Sequence, residues 1–166
     1  AAVAGVMVFA RSRMAAELLS EQVRARTLEK EYLAVLSGIP DAPEGTLRDL
    51  LFYDRASRTA RVMPAPGLDV KEAVLDYRVL GTAAGRALVH IRLHTGRTHQ
   101  IRVQFASRGL PLLGDRKYGA QEAPFPIALW SYRLRFSHPQ TGLPVEFSRL
   151  PPDEAPWSAF CPCSIE

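Results

Sequence analysis

Cysteine is nearly absent from this 166-residue chain. Its two residues, Cys161 and Cys163, stand together in Cys-Pro-Cys near the end. One close pair makes no disulfide framework, and no matching ligand pair lies elsewhere, so a disulfide-stapled scaffold and a zinc module are both disfavoured. Reduced thiols in a cytoplasmic protein are expected. Long apolar runs are missing too. None approaches the roughly 20 residues that cross a bilayer, so no membrane partner is expected. No secretory signal is visible. There is no P-loop and no dinucleotide glycine fingerprint, and the four histidines are scattered rather than paired at ligand spacing. Neither a catalytic metal nor a nucleotide cofactor is therefore expected.

What the chain does have is ordinary globular material. Hydrophobic residues at 47% and charged residues at 23% read as globular and soluble rather than disordered. The length suits one domain with a real core, and no repeat or linker divides it. A net charge of +4 favours a polyanionic partner.

Patterning predicts mostly strands. Residues 6–10 read as a buried strand, and Ser12 caps a helix through about Val23 with Ala15, Leu18, Leu19 and Val23 as its apolar stripe. Residues 30–36, 46–53 and 59–63 read as strands. Residues 73–80 alternate, with Ala73, Leu75, Tyr77 and Val79 on one face. Residues 87–93 alternate as well, with His90 and Arg92 outward, and a turn over 81–85 joins the two into a hairpin. A helix is expected over 98–107, stopped by Gly109 and Pro111. Residues 131–136 and 145–150 form a closing hairpin. Antiparallel strands with few helices give an α+β class.

The densest segment is Leu93-His94-Thr95-Gly96-Arg97-Thr98-His99-Gln100-Ile101-Arg102. Thr95-Gly96 is a turn signal after a strand. Thr98 can cap the following helix, with Ile101 and Phe105 on one face. Arg97 then stands at the mouth of a strand–turn–helix corner, where a guanidinium can hold a carboxylate or phosphate bidentately. A surface arginine beside a helix start is the plainer reading of the same pattern.

This segment resembles the arginine-bearing motif of the RluA-type RNA pseudouridine synthases. Three more segments resemble that family in its own order. They are Lys30-Glu31-Tyr32-Leu33-Ala34, Gly109-Leu110-Pro111-Leu112-Leu113-Gly114-Asp115-Arg116-Lys117-Tyr118-Gly119, and Leu134-Arg135-Phe136-Ser137-His138-Pro139-Gln140-Thr141-Gly142. The resemblance implies a pseudouridine synthase fold: a mixed, mainly antiparallel central sheet flanked by helices, with a central active-site cleft. It implies uridine isomerisation in structured RNA, ribosomal or transfer, without metal or cofactor. No DNA partner is expected, and a monomer is.

The resemblance assigns Arg97 to the family arginine that orients and charge-balances a nucleophilic aspartate, and Tyr32 to the family tyrosine that contacts the base. From pattern alone, Tyr32 is a core aromatic on a strand. Ile101, Lys30 and Arg102 become candidate substrate-binding residues, with Ile101 equally a core residue and Lys30 and Arg102 equally braces of the site. Arg108, Arg116 and Lys117 are candidates for an RNA-facing rim or a solvated loop. His99 and Gln100 are expected to be structural, the histidine bonded to neighbouring backbone.

Four departures matter. The family aspartate aligns immediately before Ala1, and Val3-Ala4 replaces the usual hydroxyl-bearing pair ahead of Gly5. We therefore expect residues 1–166 to be an N-terminally incomplete catalytic domain without a separate upstream RNA-binding domain, inactive until the aspartate is supplied. Gln104 stands where relatives carry histidine and cannot titrate. Trp130 stands near a position that is often histidine, and no role passes to it. The rival readings are a non-catalytic RNA-binding protein that lost the aspartate, and a basic phosphate-binding domain unrelated to RNA. The second leaves the ordered matches unexplained.

Overall fold

Period-two patterning carries most of the chain into one eight-stranded sheet. The computed structural model describes residues 3–119 and 124–160. Cys161, Cys163 and Ala1 lie outside the described residues. The elements are β1 (Ala4–Gly5), α1 (Arg13–Ala25), β2 (Glu29–Leu36), β3 (Glu44–Asp54), β4 (Thr59–Met63), β5 (Val70–Ala83), β6 (Arg86–Leu93), α2 (Gln100–Ala106), β7 (Leu129–Ser137) and β8 (Pro144–Ser148), then a short 3-10 turn at Trp157–Ala159. Strand order is β1-β7-β2-β6-β5-β3-β4, with β8 also on β7. Among the described strands only the β1–β7 pairing is parallel. The class is α+β, and the sheet is mixed and mainly antiparallel, as expected. No helix among the described residues is long and apolar enough to cross a membrane.

Both faces of the sheet's centre are covered. Ala34, Leu36, Leu75, Val89 and Ile91 pack on one face against Ile101 and Phe105 of α2. Leu33, Val35 and Leu88 pack on the other against Leu113 and Phe160. Doubly buried strands read as nearly continuous apolar runs, which is why 33–36 lost its alternation.

Three expectations need correction. Residues 6–10 are not a buried strand: the sheet takes only Ala4–Gly5, and Met7 and Phe9 are 62% and 79% exposed. The reason is edge competition. β1 pairs with β7 at Trp130 and Ser131, but β8 takes the same edge from Arg133 onward, so beyond the Val6 N–H, which donates to the Ser131 carbonyl at 2.9 Å, the segment has no ladder to join. The helix after the arginine corner starts at Gln100, with His99 in the left-handed region (φ 57°) and no side-chain cap, so Thr98 does not cap it. The 81–85 turn shrinks to Ala84-Gly85, both at positive φ (50° and 72°), which fits the right-handed twist of a two-residue hairpin. The α1 expectation holds at its start, where Ser12 Oγ accepts the Ala15 N–H at 3.2 Å. Its stripe is narrower than expected, with Leu19 buried and Val23 47% exposed.

On the face of β2 opposite Lys30 and Tyr32, buried Glu31 accepts from Arg133 at 2.5 Å and lies 2.7 Å from His90 Nε2. Burial opposes the ionised carboxylate, but these partners outweigh it and lower its pKa from 4.5 to about 2. A depressed carboxylate adds stability that is complete above the unfolded value and lost as pH falls through the folded one. A shift of that size is on the order of 3 kcal/mol. Acid unfolding followed between pH 5 and 2 is expected to be shallower in Glu31→Gln than in the parent. Equal slopes would show that Glu31 is not the group responsible.

Candidate active site

The arginine corner is built by one side chain. Gln100 Oε1 accepts the Arg97 backbone N–H at 3.0 Å and the Thr95 hydroxyl at 2.8 Å, while Gln100 Nε2 donates to the Val74 carbonyl at 3.1 Å. This buried amide does the work that a Thr98 cap was expected to do, and it ties the corner to β5. The Arg97 guanidinium donates through Nε to the Glu72 carbonyl at 2.9 Å. Its two terminal nitrogens have no hydrogen-bond partner among the described residues.

Arg97 and Tyr32 line the same cavity, of about 580 Å³, although they are far apart in sequence. β2 supplies Lys30 and Tyr32 from one face, α2 supplies Ile101 and Arg102, and β7 supplies Leu129 and Ser131. Val3, the first described residue, also lines it. Gly5 fixes that approach: at φ 116° its Cα lies so close to the Ser131 backbone that a Cβ would collide with the Ser131 carbonyl. The Gly96 turn lets the Lys30 ammonium in, its Nζ 3.2 Å from where a Cβ would stand.

The cavity is cationic. Among its described lining residues there is no aspartate or glutamate, and neither Lys30 nor Arg97 forms an ion pair among the described residues. Burial pushes the Lys30 ammonium pKa down. Burial pushes the Tyr32 phenol up, against a smaller opposite pull from the Ser131 hydroxyl, so the phenol keeps its proton near neutrality. The arrangement can hold an anion beside Arg97 and offer a ring and a hydroxyl to a planar base.

Arg102 is placed as a brace. Its guanidinium donates to both carboxylate oxygens of buried Asp115, at 2.7 and 2.6 Å, and lies over the Tyr118 ring at 4.9 Å. Asp115 also accepts the backbone N–H groups of Lys117 and Tyr118. Burial opposes its charge, yet these bonds hold its pKa below the usual carboxylate range. Gly114 closes the turn at φ 75°, where a Cβ would meet the Pro126 carbonyl at 2.7 Å. His99 is bonded, but not to backbone as expected: its Nδ1 lies 2.8 Å from the Tyr118 hydroxyl. Tyr118 accepts the Ala60 N–H at 2.6 Å, which leaves its own hydrogen for His99. Burial, then the charges of Arg102 and Lys117, push the His99 pKa down, so the ring is neutral and can accept it.

The three rim candidates separate. Arg116 and Lys117 line one neighbouring cavity. Arg108 stands apart, paired with Asp49 at 2.9 and 3.1 Å. Gln104 is fully buried and donates to Asp49 at 2.7 Å, which is a structural role. Trp130 donates to the Arg149 carbonyl at 2.7 Å. Sequence reasoning did not single out Asp115, Tyr118, Ser131 or the Glu72 carbonyl. Asp115 and Tyr118 were visible as the fixed positions of the Gly-Asp-x-x-Tyr-Gly turn, whereas the other two have only tertiary contacts to mark them.

A family model described as RNA pseudouridylate synthase matches residues 1–107. The chain belongs to that family. The ribosomal large subunit pseudouridine synthase D of Haemophilus influenzae is 33% identical over 165 residues, covering 90% of this chain and 50% of the relative. An uncharacterized RNA pseudouridine synthase of Bacillus subtilis, YlyB, is 38% identical over 154 residues, covering 91% and 50%. The structure of human RNA pseudouridylate synthase domain containing 1 superposes with a TM-score of 0.73 at 28% identity, over 86% of this chain and 62% of that one. The chain spans about half the length of the curated relatives it matches.

Proposed function

We propose that this chain is the core of an RNA pseudouridine synthase catalytic domain acting on structured RNA, ribosomal or transfer, as a cytoplasmic monomer. The observation that carries this reading is the cationic cavity in which Arg97, Lys30 and Tyr32 meet with no carboxylate among its described lining. Two unpaired cations in a half-buried site are costly unless an anion joins them. A carboxylate contributed from just before Ala1 meets that need, because Val3 already lies on the cavity wall.

In this reading the carboxylate is the nucleophile or proton-transfer partner while uracil leaves its ribose, turns, and rejoins through carbon. The rearrangement is an isomerisation and needs no oxidant, reductant or metal. Arg97 keeps the carboxylate ionised and oriented. The Tyr32 ring holds the base, and its protonated hydroxyl can donate to it. Ile101 packs against the base, and Lys30 adds positive charge.

The test is pseudouridine formation in cellular RNA lacking the modification, assayed with residues 1–166 and with a protein extended upstream to include an aspartate next to Ala1. The shorter chain is expected to be inactive and the extended one active. Activity in the shorter chain would overturn the nucleophile's placement. RNA binding by both with isomerisation by neither would favour a non-catalytic binder. In the extended protein, Tyr32→Phe is expected to keep RNA affinity while kcat falls by roughly 10²-fold. An unchanged kcat would restrict Tyr32 to stacking.

A further inference from the structure

A second cavity, of about 770 Å³, opens on the far side of His99 and Arg102, which form the wall it shares with the active-site cavity. Arg58, Arg116 and Lys117 line it. All three are exposed, and none is paired with a carboxylate among the described residues. The Lys117 ammonium donates to the Arg58 carbonyl at 2.7 Å, so two segments distant in sequence are fastened together at this site. Tyr53 lines the same cavity, its ring edge-on to His99 with centroids 5.9 Å apart.

We propose that this cavity binds the nucleotide adjacent to the reacting uridine in the RNA, its phosphate on Arg58, Arg116 and Lys117 and its base against Tyr53. The inference rests on the function proposed above and extends it to a second subsite. Three neighbouring cations repel one another, and an entering phosphodiester relieves that repulsion. The described lining of this cavity holds no aspartate or glutamate to oppose it. A free phosphate would need no ring, whereas single-stranded RNA is held by cations on its backbone and aromatic faces on its bases. The wall shared through His99 and Arg102 puts the two subsites side by side, as consecutive nucleotides require. His99 is neutral there and the Arg102 guanidinium is paired with Asp115, so the wall adds no unpaired charge.

The probe is a labelled pentauridylate, titrated against residues 1–166 at several salt concentrations. Arg58→Gln/Arg116→Gln/Lys117→Gln is expected to weaken binding about ten-fold at physiological salt and to flatten the dependence of log affinity on log salt by about one to two. Tyr53→Ala is expected to weaken it about ten-fold without changing that slope. Arg86→Gln removes an exposed charge at the β5–β6 turn, at the opposite end of the sheet by register, and is expected to change neither. Loss of binding with an unchanged slope in the triple variant, or an equal effect from Arg86→Gln, would overturn the subsite. So would failure of the parent chain to bind the oligonucleotide. Isomerisation by the upstream-extended protein is the separate readout. If it proceeds while the triple variant's slope is unchanged, only the subsite falls. If it never proceeds, the function beneath it falls.

Discussion

Arg97→Ala, made in a protein extended upstream to carry an aspartate next to Ala1, is expected to lose roughly 10²- to 10³-fold in kcat, the usual cost of removing a preorganised charge partner from a water-poor site. Nothing else described in the cavity can take its place. Lys30 is a point charge, and Arg102 is fully engaged by Asp115. Arg97→Lys is expected to recover only part of the rate. An ammonium keeps the charge but loses the planar fork, and it also loses the bond that anchors the guanidinium to the Glu72 carbonyl. The fold should be unaffected, since the corner is held by Gln100 through the Arg97 backbone rather than its side chain. Turnover and unfolding measured on the same samples separate the two effects. Full activity in a folded Arg97→Ala protein would remove Arg97 from the mechanism.

How much of this was legible in the sequence depended on how local each cause is. The strands 59–63 and 30–36 and the Ser12 cap follow from neighbouring residues, and the structure has them within a residue. The edge rule that keeps residues 7–10 out of the sheet is not local. It is set by β8, more than a hundred residues later, occupying the edge that the segment would otherwise extend. The helix start was misplaced for a related reason. A threonine at position 98 is a good cap by composition, but Gln100 reaches Arg97, Thr95 and the Val74 carbonyl at once, and that tertiary bracing decides the backbone. At the site, a resemblance to ordered family motifs singled out Arg97 and Tyr32. Patterning alone left them a surface arginine and a core tyrosine. Tyr53 and Arg58 carried no signal, because only the folded chain brings them to line one cavity with Lys117.

The largest effect on stability is expected at Asp115. Its carboxylate has no exposure, and it takes both bonds of an Arg102 guanidinium that is itself buried. Asp115→Ala leaves that guanidinium without a counter-charge and frees the Lys117 and Tyr118 N–H groups, a loss of about 3–5 kcal/mol. That is a fifth or more of the stability of an ordinary domain of roughly 5–15 kcal/mol. Arg102→Met/Asp115→Leu removes both charges together and is expected to recover most of the loss, since no buried charge remains. The recovery should not extend to function. Tyr118 would lose the cation beneath its ring, and with it the firm seat from which it holds His99 on the wall between the two cavities. The pair also sets a pH signature. The Asp115 pKa is depressed, so its stabilisation is complete above the unfolded carboxylate value and is lost as pH falls through the folded one. Urea midpoints between pH 7 and 3 are expected to fall more steeply in the parent than in the double variant. An Asp115→Ala unfolding free energy within about 1 kcal/mol of the parent would mean that the pair is solvated and does not hold the turn.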